Sequence, residues 1–459
     1  MIFLQAAAPA ERREMILGQA ASRAAGLGVP VLACVSEPAP LLDPVGVYQR
    51  VAAVTETASY WEQPRDSAMV AAGAAWSFDA GGAERFAGAA NAWKSISRHA
   101  LGDVDGLACF GGFAFDAEHG HAEHWRAFGN GAIVVPELLY RRDGGQASIT
   151  RCVLVQPDGS WTQDARLDAL PGDDRAASLF DAPAALLARR ESPDAATWMR
   201  SVEALTSAIR TGGVEKVVLA REVVLTAAAD IDPAAVLAAL REGYARCTLF
   251  AMKRGDACFI GATPERLVRV RERRVSAACV AGSSRRGDDE RDDAAAGQAL
   301  LADPKERSEH DLVLTMIVDA LAPLCGDLAM PAEPQLMRMP NVQHLHTPIA
   351  GTLRGDAGVL DLVARLHPTP AVGGVPREAA LALIRQHEPF DRGWYAGPVG
   401  WVDAHGNGEF VVALRSGLLR NNQARLYAGC GIVRDSVPAR EYEESMLKLR
   451  PMLCALNLH

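Results

Sequence analysis

The 459-residue chain is 49% hydrophobic and 22% charged, values typical of a soluble globular protein with one large domain or two. Its formal net charge is −9 without a basic tail or cluster, so no nucleic-acid partner is expected. No apolar run is long enough to span a membrane, and the N-terminus lacks the basic and apolar regions of a signal peptide. The nine cysteines are scattered without a C-x-x-C pair, which favours free thiols over disulfides or structural zinc. We therefore expect a cytoplasmic protein.

The first part of the chain is predicted to mix strands and helices. Phe86, Trp93 and Ile96 have the spacing of a helix face that packs on a core. In chain order, the predicted segments are strand-like and helical pieces in residues 1–40, strands with turns from Val47 to Phe78, a helix from Ala83 to Leu101, a buried strand from Leu107 to Phe115 and a hairpin from Ala132 to Val155.

A polar segment from about Pro157 to Asp194 is predicted to connect an N-terminal half, residues 1–190, with a second region, residues 191–459, within what we expect to be one compact unit. The prediction is clearest at the end of the second region, where an antiparallel meander is followed by a helix. Its predicted segments are a helix from Trp198 to Ile209, a strand over 216–225, meander strands over Gly397–Asp403, Glu409–Leu418 and Ala424–Gly429, and a helix from Val437 to Leu453. This pattern predicts an α+β fold, with antiparallel sheets and helices layered on them.

Two pairs of glutamates are the first candidates for chemistry. Glu306 and Glu309 lie three residues apart, as do Glu441 and Glu444, so each pair shares one face of a predicted helix. Two such faces brought together would offer carboxylate oxygens, the ligands that Mg²⁺ prefers. Simpler interpretations stay open, because Glu306 could serve the helix N-terminus and Glu444 could form an exposed ion pair with Lys448.

Three further charged residues stand beside apolar runs. Lys216 opens a strand of Val and Leu, where it could lose its proton and act as a base, or simply reach water at the strand end. Glu265 follows a proline after an apolar run, and could be a general acid or the partner of Arg266. Arg415 is predicted inside a central strand, where a buried charge needs an acidic partner or a substrate carboxylate.

Ten motifs in order resemble those of the chorismate-utilising enzymes, which include isochorismate, salicylate, anthranilate and aminodeoxychorismate synthases. The resemblance is strong from about residue 195 to residue 459 and weaker before it, where FGGFAFD (110–116) is the best match. The motifs are KVVLAR (216–221), GATPERL (261–267), AGSSRRG (281–287), DPKERSEHDLV (303–313), VQHLHTPIAGTL (342–353), HPTPAVGG (367–374), YAGPVGW (395–401), ALRSGLL (413–419), AGCGIV (428–433) and EYEESMLKLRPML (441–453).

Within this family the sequence is most similar to members that use water as the nucleophile. Lys216 stands where ammonia-using members carry another residue, and Ala371 stands where they typically carry Thr. Ser283 departs from the Thr of many relatives but keeps the hydroxyl. The resemblance therefore implies two antiparallel sheets in an α/β sandwich and a Mg²⁺-dependent isomerisation of chorismate to isochorismate.

The resemblance also implies roles for the candidate residues. Glu309 and Glu444 would hold Mg²⁺, supported by Glu306 and Glu441, and the ion would bind the ring carboxylate of chorismate. Lys216 would take a proton from the water that attacks ring carbon 2, and Glu265 would protonate the hydroxyl that leaves carbon 4. The residues implied in substrate binding are Tyr395 and Arg415 at the enolpyruvyl carboxylate, the backbone at Gly429 and Gly431, Lys448 near the metal, and Ser283, His344 and Ala371 around the ring. His344 could equally bond a neighbouring backbone.

Three alternatives remain open at this point. A salicylate synthase would also eliminate pyruvate; an ammonia-using subunit is disfavoured by Lys216 and Ala371; and a non-catalytic binding subunit would bind chorismate without turnover. The product could feed menaquinone, a catechol siderophore or salicylate. The resemblance implies a monomer or weak homodimer.

Overall fold

The computed structural model describes residues 9–64, 67–118, 122–167, 185–287, 289–338 and 342–457. Within these residues no helix combines the length and apolar character needed to cross a bilayer. The helices are α1 Pro9–Leu27, α2 Pro44–Val54, α3 Arg85–Ser97, α4 Ala195–Thr211, α5 Pro233–Gly243, α6 Glu290–Ala302, α7 Pro304–Leu321, α8 Val359–Leu366, α9 Arg377–His387 and α10 Pro438–Leu456.

The strands form two large sheets. Their bounds are β1 Val31–Pro38, β2 Thr57–Gln63, β3 Ser67–Ala72, β4 Trp76–Asp79, β5 Leu101–Gly102, β6 Ala108–Phe113, β7 Gly131–Val135, β8 Leu138–Asp143, β9 Gln146–Val155, β10 Leu186–Ser192, β11 Lys216–Ala227, β12 Thr248–Arg254, β13 Ala257–Thr263, β14 Arg266–Arg271, β15 Arg274–Arg285, β16 Cys325–Ala329, β17 Gln335–Arg338, β18 Val342–Leu353, β19 Gly374–Val375, β20 Pro398–Asp403, β21 Gly408–Val412, β22 Ser416–Arg420 and β23 Gln423–Ile432.

The first sheet has the order β10-β11-β23-β22-β13-β12-β2-β3-β8-β9-β1-β5, with β19 also on β11. The second has the order β16-β18-β15-β14-β21-β20-β6-β7-β4, with β17 also on β18. Pairing is antiparallel wherever it is described, except between β1 and β5. Strand β2 pairs with β12 and β6 pairs with β20, so the two halves of the chain share both sheets.

One hydrophobic core contains side chains from both sheets, such as Phe110 of β6 and Phe259 of β13. A second cluster packs α2, α5 and α10 against the first sheet, through side chains that include Tyr48, Leu237 and Leu449. The α+β class, with two antiparallel-rich sheets flanked by helices, is therefore confirmed. The predicted helices around Trp93, around Leu205 and after Pro438 are confirmed as α3, α4 and α10.

Several predicted segments were wrong because apolar runs do not record which sheet they join. The predicted hairpin from Ala132 to Val155 is confirmed in its second part, where β8 and β9 pair antiparallel around the turn at Gly144 and Gly145. Its first part is wrong, because the apolar run breaks at Pro136 into β7 and β8, which lie in different sheets. The run over 409–418 likewise breaks near Arg415, so β21 and β22 also belong to different sheets and no single meander forms. Arg415 is not inside a strand: it lies in the bend, with φ of 49°.

Helix α2 and strand β10 also differ from the predicted elements. Residues 47–54, predicted as strand, are the body of α2, which begins at Pro44 after Asp43 accepts a hydrogen bond from the Gly46 amide at 3.2 Å. The polar connection includes an edge strand, β10, and residues 168–184 of it lie outside the described residues.

Candidate active site

The candidate site consists of two adjoining cavities that share Ala371, a residue of the segment between α8 and β19. The first, the basic cavity, is bordered by residues of β11, β23 and α10. Its lining includes Arg415, Lys448, Tyr395 and Gly429. The second, the Glu265 cavity, is lined by Glu265, Arg266, Thr369, Ala371 and the apolar residues Leu267, Ala278, Val280, Val313, Ile317 and Leu366.

Lys216 begins β11 and lies against the glycine of the neighbouring strand. Its Nζ donates a hydrogen bond to Glu309 Oε1 of α7 at 2.7 Å, and only 14% of its side chain is exposed. A Cβ at Gly431 of β23 would lie 2.8 Å from Lys216 Cε. Glycine at 431 therefore makes the space that the lysine side chain occupies, a role for Gly431 in addition to the backbone contact implied by the resemblance.

Glu265 follows β13 at the point where the chain passes from the first sheet to the second. Its backbone is fixed on both sides: Thr263 Oγ1 accepts from the Glu265 amide at 3.2 Å, and the Glu265 carbonyl accepts from the Val412 amide at 3.0 Å. Burial raises the pKa of the Glu265 carboxyl to about 7, although Lys216 and the other nearby cations favour the ionised form. Arg266 pairs with Glu409 at 3.1 Å, so it is not the partner of Glu265.

Arg415 and Tyr395 provide a cation and a hydroxyl donor in the basic cavity. Within the described part of the chain, the Arg415 side chain has no hydrogen-bond acceptor or ion-pair partner, and burial lowers its pKa. Burial raises the pKa of Tyr395 to about 12, so its hydroxyl keeps its proton. The Tyr395 ring stacks on Tyr427 with centroids 5.2 Å apart, and the Tyr427 hydroxyl donates to Glu222 at 3.2 Å. An unpaired guanidinium beside a phenol is suited to a carboxylate ligand.

Lys448 of α10 forms a hydrogen bond with the backbone of β23. Its Nζ donates to the Gly429 carbonyl at 2.9 Å and pairs with Glu444 Oε1 at 2.7 Å. Burial opposes its charge, but Cys430 and Glu444 outweigh that effect and raise the pKa of Lys448. The predicted pair of Glu444 with Lys448 thus forms, at the wall of the cavity. Strand β22 pairs with β23 only as far as Leu426, so beyond that residue β23 pairs with β11 alone.

The four glutamates are not gathered into one cluster. Glu441 and Glu444 offer ligand atoms within 4.8 Å of one another and of Cys430. Glu309 instead pairs with Lys216, and Glu306 Oε2 accepts from the Ser283 amide at 2.9 Å. The N-terminus of α7 is capped by Asp303, whose carboxylate accepts from the amides of residues 305 and 306, so Glu306 is not needed there.

These carboxylates fit a hard divalent cation in part. The Glu441 and Glu444 oxygens are suitable ligands, whereas the Cys430 thiol suits softer metals. Glu309 has one oxygen on Lys216, and its second oxygen, Oε2, accepts no hydrogen bond from the described residues. Glu309 could therefore bind a metal through Oε2 while it retains the lysine.

Ser283 and His344 are paired across the β15–β18 ladder. The Ser283 hydroxyl and His344 Nδ1 are 2.7 Å apart, so the histidine bonds a side chain and not a backbone group. Burial, with Lys448 and Arg415 nearby, lowers the pKa of His344 to about 4. The imidazole is therefore neutral at neutral pH.

Sequence reasoning missed Glu388 and Arg392, which brace β11. Glu388 Oε1 accepts from the Ala220 amide at 2.6 Å, and the Arg392 guanidinium donates to the carbonyls of Val218 and Val372 at 2.7 and 3.0 Å. Arg392 also lines the basic cavity. The sequence contained one sign of this pair. Glu388 and Arg392 have opposite charges, lie four residues apart and come directly before the motif that begins at Tyr395.

Comparisons with known proteins show which family the chain is similar to. The sequence profile of a family described as chorismate binding enzymes matches residues 19–457. The salicylate biosynthesis isochorismate synthase of Pseudomonas aeruginosa is 41% identical over 453 residues, 96% of this chain and 93% of the relative. Isochorismate synthase MenF of Bacillus subtilis is 40% identical over 366 residues, 79% of this chain and 77% of the relative. The solved structure of MenF, the menaquinone-specific isochorismate synthase from Escherichia coli, has a TM-score of 0.79 at 29% identity, covering 96% of this chain and 99% of that one.

Proposed function

Because this chain belongs to the chorismate-binding enzyme family, we propose that it is an isochorismate synthase, which converts chorismate to isochorismate with Mg²⁺. The relatives named above, at about 40% identity over most of the chain, support this reaction. The observation that carries the proposal is the placement of a lysine and a protonatable glutamate at one site. Lys216 lies against Gly431, and Glu265 lines an apolar cavity that raises its pKa to about 7.

Arg415 and Tyr395 bind the enolpyruvyl carboxylate in this proposal. The guanidinium has no other partner among the described residues, and the phenol retains its proton to donate. The backbone at Gly429 borders the same cavity, and in this proposal the backbone at Gly431, beside the Lys216 side chain, adds to the contacts with the substrate. These contacts give a local positive site in a protein whose net charge is −9.

In this proposal Glu309 and Glu444 would hold Mg²⁺, and Glu306 and Glu441 would support the ion directly or through water. When bound, Mg²⁺ would neutralise the ring carboxylate of chorismate. Glu309 offers Oε2 for this purpose, and Glu444 offers an oxygen close to Glu441. Lys448 keeps Glu444 in place through their 2.7 Å ion pair.

Lys216 acts as the general base and Glu265 as the general acid. In its unprotonated form Lys216 would take a proton from a water molecule as the water oxygen bonds to ring carbon 2. Glu265 gives its proton to the hydroxyl as the bond between that oxygen and carbon 4 breaks, so the hydroxyl leaves as water. A carboxyl with a pKa of about 7 is still partly protonated at neutral pH, as this step requires. His344 and Ser283 border the ring as neutral hydrogen-bonding groups.

The experiment that tests the proposal is incubation of the purified protein with chorismate, with and without Mg²⁺, with chromatographic separation of products and a separate pyruvate assay. We expect isochorismate only with Mg²⁺, and no pyruvate. Lys216→Ala should fold normally and lose at least about 100-fold in kcat, since a positioned base contributes that much or more. Pyruvate with salicylate would instead identify a salicylate synthase, and no conversion by folded protein would reject the proposal.

A further inference from the structure

Thr369 has a buried hydroxyl without a hydrogen-bond partner. The residue is 8% exposed, and its Oγ1 is buried without an acceptor or donor among the described residues. A hydroxyl taken out of water without a partner lowers the stability of the folded state, so such groups are rare in native proteins. An unsatisfied group of this kind indicates either a structural defect or a ligand that completes it.

The position of Thr369 favours a ligand. It lines the Glu265 cavity, where apart from Glu265, Arg266 and Thr369 the lining residues are apolar. Ala371, two residues further, lines both cavities. A ring placed over Ala371, with its enolpyruvyl carboxylate in the basic cavity, would present another edge to Glu265 and Thr369.

The backbone around Thr369 is fixed before any ligand binds. The Thr369 carbonyl accepts hydrogen bonds from the amides of Val372 and Gly373 at 3.1 and 2.9 Å. His367, two residues before Thr369, is buried, and its Nε2 is 2.9 Å from the Phe115 carbonyl oxygen. The hydroxyl is thus held at the cavity and cannot reach another partner through backbone movement at low cost.

We propose that the Thr369 hydroxyl hydrogen-bonds the departing hydroxyl of the substrate at ring carbon 4, beside Glu265. This inference rests on the proposed function and adds a catalytic residue to it. Glu265 supplies the proton to the leaving oxygen, and Thr369 holds that oxygen in line with the carboxyl group. Among the other residues that line this cavity only Arg266 is polar, and it pairs with Glu409.

Thr369→Val separates this role from a structural one, because valine has the same shape without the hydroxyl. Removal of an unsatisfied buried polar group should leave the Tm of the ligand-free protein unchanged or raise it. At the same time we expect kcat for isochorismate formation to fall at least about tenfold, with KM changed by less than about threefold, since the contact acts on the leaving group. Thr369→Ser, which keeps the hydroxyl, should retain most of the activity.

Thr55→Val is the matched control. Thr55 is also buried, but its hydroxyl donates to the carbonyls of Val51 and Thr57 at 2.9 and 3.0 Å, far along the chain at the end of α2. Its valine variant should lower the Tm and leave kcat unchanged, the opposite pattern to Thr369→Val.

Two outcomes would overturn the inference. Wild-type kcat in Thr369→Val would mean that the hydroxyl is idle during the reaction. A Tm that falls in Thr369→Val, or a failure of that variant to fold, would mean that the hydroxyl has a partner inside the protein. Neither outcome affects the proposed function, which fails only if the wild-type protein does not convert chorismate.

Discussion

Glu265 illustrates how its surroundings give one residue its chemistry. Seven apolar side chains line its cavity, and because burial disfavours a charged carboxylate the pKa rises to about 7. Arg266, its neighbour in sequence, pairs with Glu409, and no other cation among the described residues forms an ion pair with Glu265. A glutamate in this setting exists in both protonation states near neutral pH and can give up a proton during a reaction.

The pH dependence of turnover should report this carboxyl group. The protonated form is the active acid, so kcat should decline as pH rises through about 7, in a phase that belongs to the raised pKa of Glu265. Glu265→Gln should lose at least about 100-fold in kcat across the whole pH range, because an amide cannot supply the proton. Glu443→Gln, on the exposed side of α10, is the control and should retain the wild-type profile. A Glu265→Gln variant with wild-type turnover would remove Glu265 from the mechanism.

At the residue level, sequence patterns were sufficient to choose many of the side chains at the site. Lys216, Glu265 and Arg415 were identifiable because each is a charge beside an apolar run. The missing partner of Thr369 was not identifiable, because it depends on what the fold places around a single hydroxyl. Nor does sequence spacing reveal that Glu309 faces Lys216, since these residues are 93 positions apart.

Strand β11, which carries Lys216, has no continuous strand partner on one side within the part of the chain that the structure describes. Strand β19 pairs with its first two residues and β10 pairs with residues 222–227. Between these two pairings, Glu388 accepts a hydrogen bond from the Ala220 amide and Arg392 donates one to the Val218 carbonyl. They also pair with each other, Arg392 Nε being 2.7 Å from Glu388 Oε2. This buried ion pair therefore replaces part of a strand.

Substitution of one member of this pair should destabilise the protein and displace β11. Glu388→Gln and Arg392→Met each leave a buried charge unpaired, a change that costs about 3–5 kcal/mol in comparable cases. We expect a clear fall in Tm, and a fall in kcat because Lys216 shifts with its strand. Lys94→Ala is the control: Lys94 pairs with Asp361 at 3.1 Å but is 47% exposed, so its Tm should hardly change. Wild-type Tm in both pair variants would show that the brace is dispensable.

At the scale of helices and strands, the sequence pattern records burial but not which sheet a segment joins. Apolar runs correctly located most strands and helices, because burial sets their periodicity. The breaks at Pro136 and Arg415 were missed because both sides of each break are buried, in different sheets. Helix α2 was missed because its apolar residues are as frequent as in a strand, although Asp43 and Pro44 mark its beginning.

Several histidines are buried in the folded protein, and burial keeps their imidazoles neutral. Burial lowers the pKa of His124 and His344 to about 4, and that of His367 to about 3. Below pH 6.5 the unfolded chain takes up protons on these residues that the folded chain does not, so stability falls as pH falls. Glu265 acts in the opposite direction between about pH 4.5 and 7, because its folded-state pKa is raised. The three histidines outweigh the single glutamate.

His367→Gln should reduce this acid sensitivity. One buried histidine contributes roughly 2 kcal/mol to the loss of stability between pH 6.5 and pH 5. The difference in unfolding free energy between pH 7.5 and pH 5, measured by urea denaturation, should therefore be smaller in the variant by about that amount. The variant is expected to be less stable at pH 7.5, since the bond to the Phe115 carbonyl is changed. An identical pH difference in both proteins would contradict the assignment.

The pairing of β2 with β12 and of β6 with β20 has a consequence during synthesis on the ribosome. The N-terminal strands emerge first, yet β2 meets its partner only when residues 248–254 are made, and β6 only when residues 398–403 are made. At roughly 5–20 residues per second, the edge of β2 waits for about 10–40 s and that of β6 for about 15–60 s. During that time both edges present free backbone groups that other nascent chains could join. The growing chain is thus open to aggregation until translation is nearly complete.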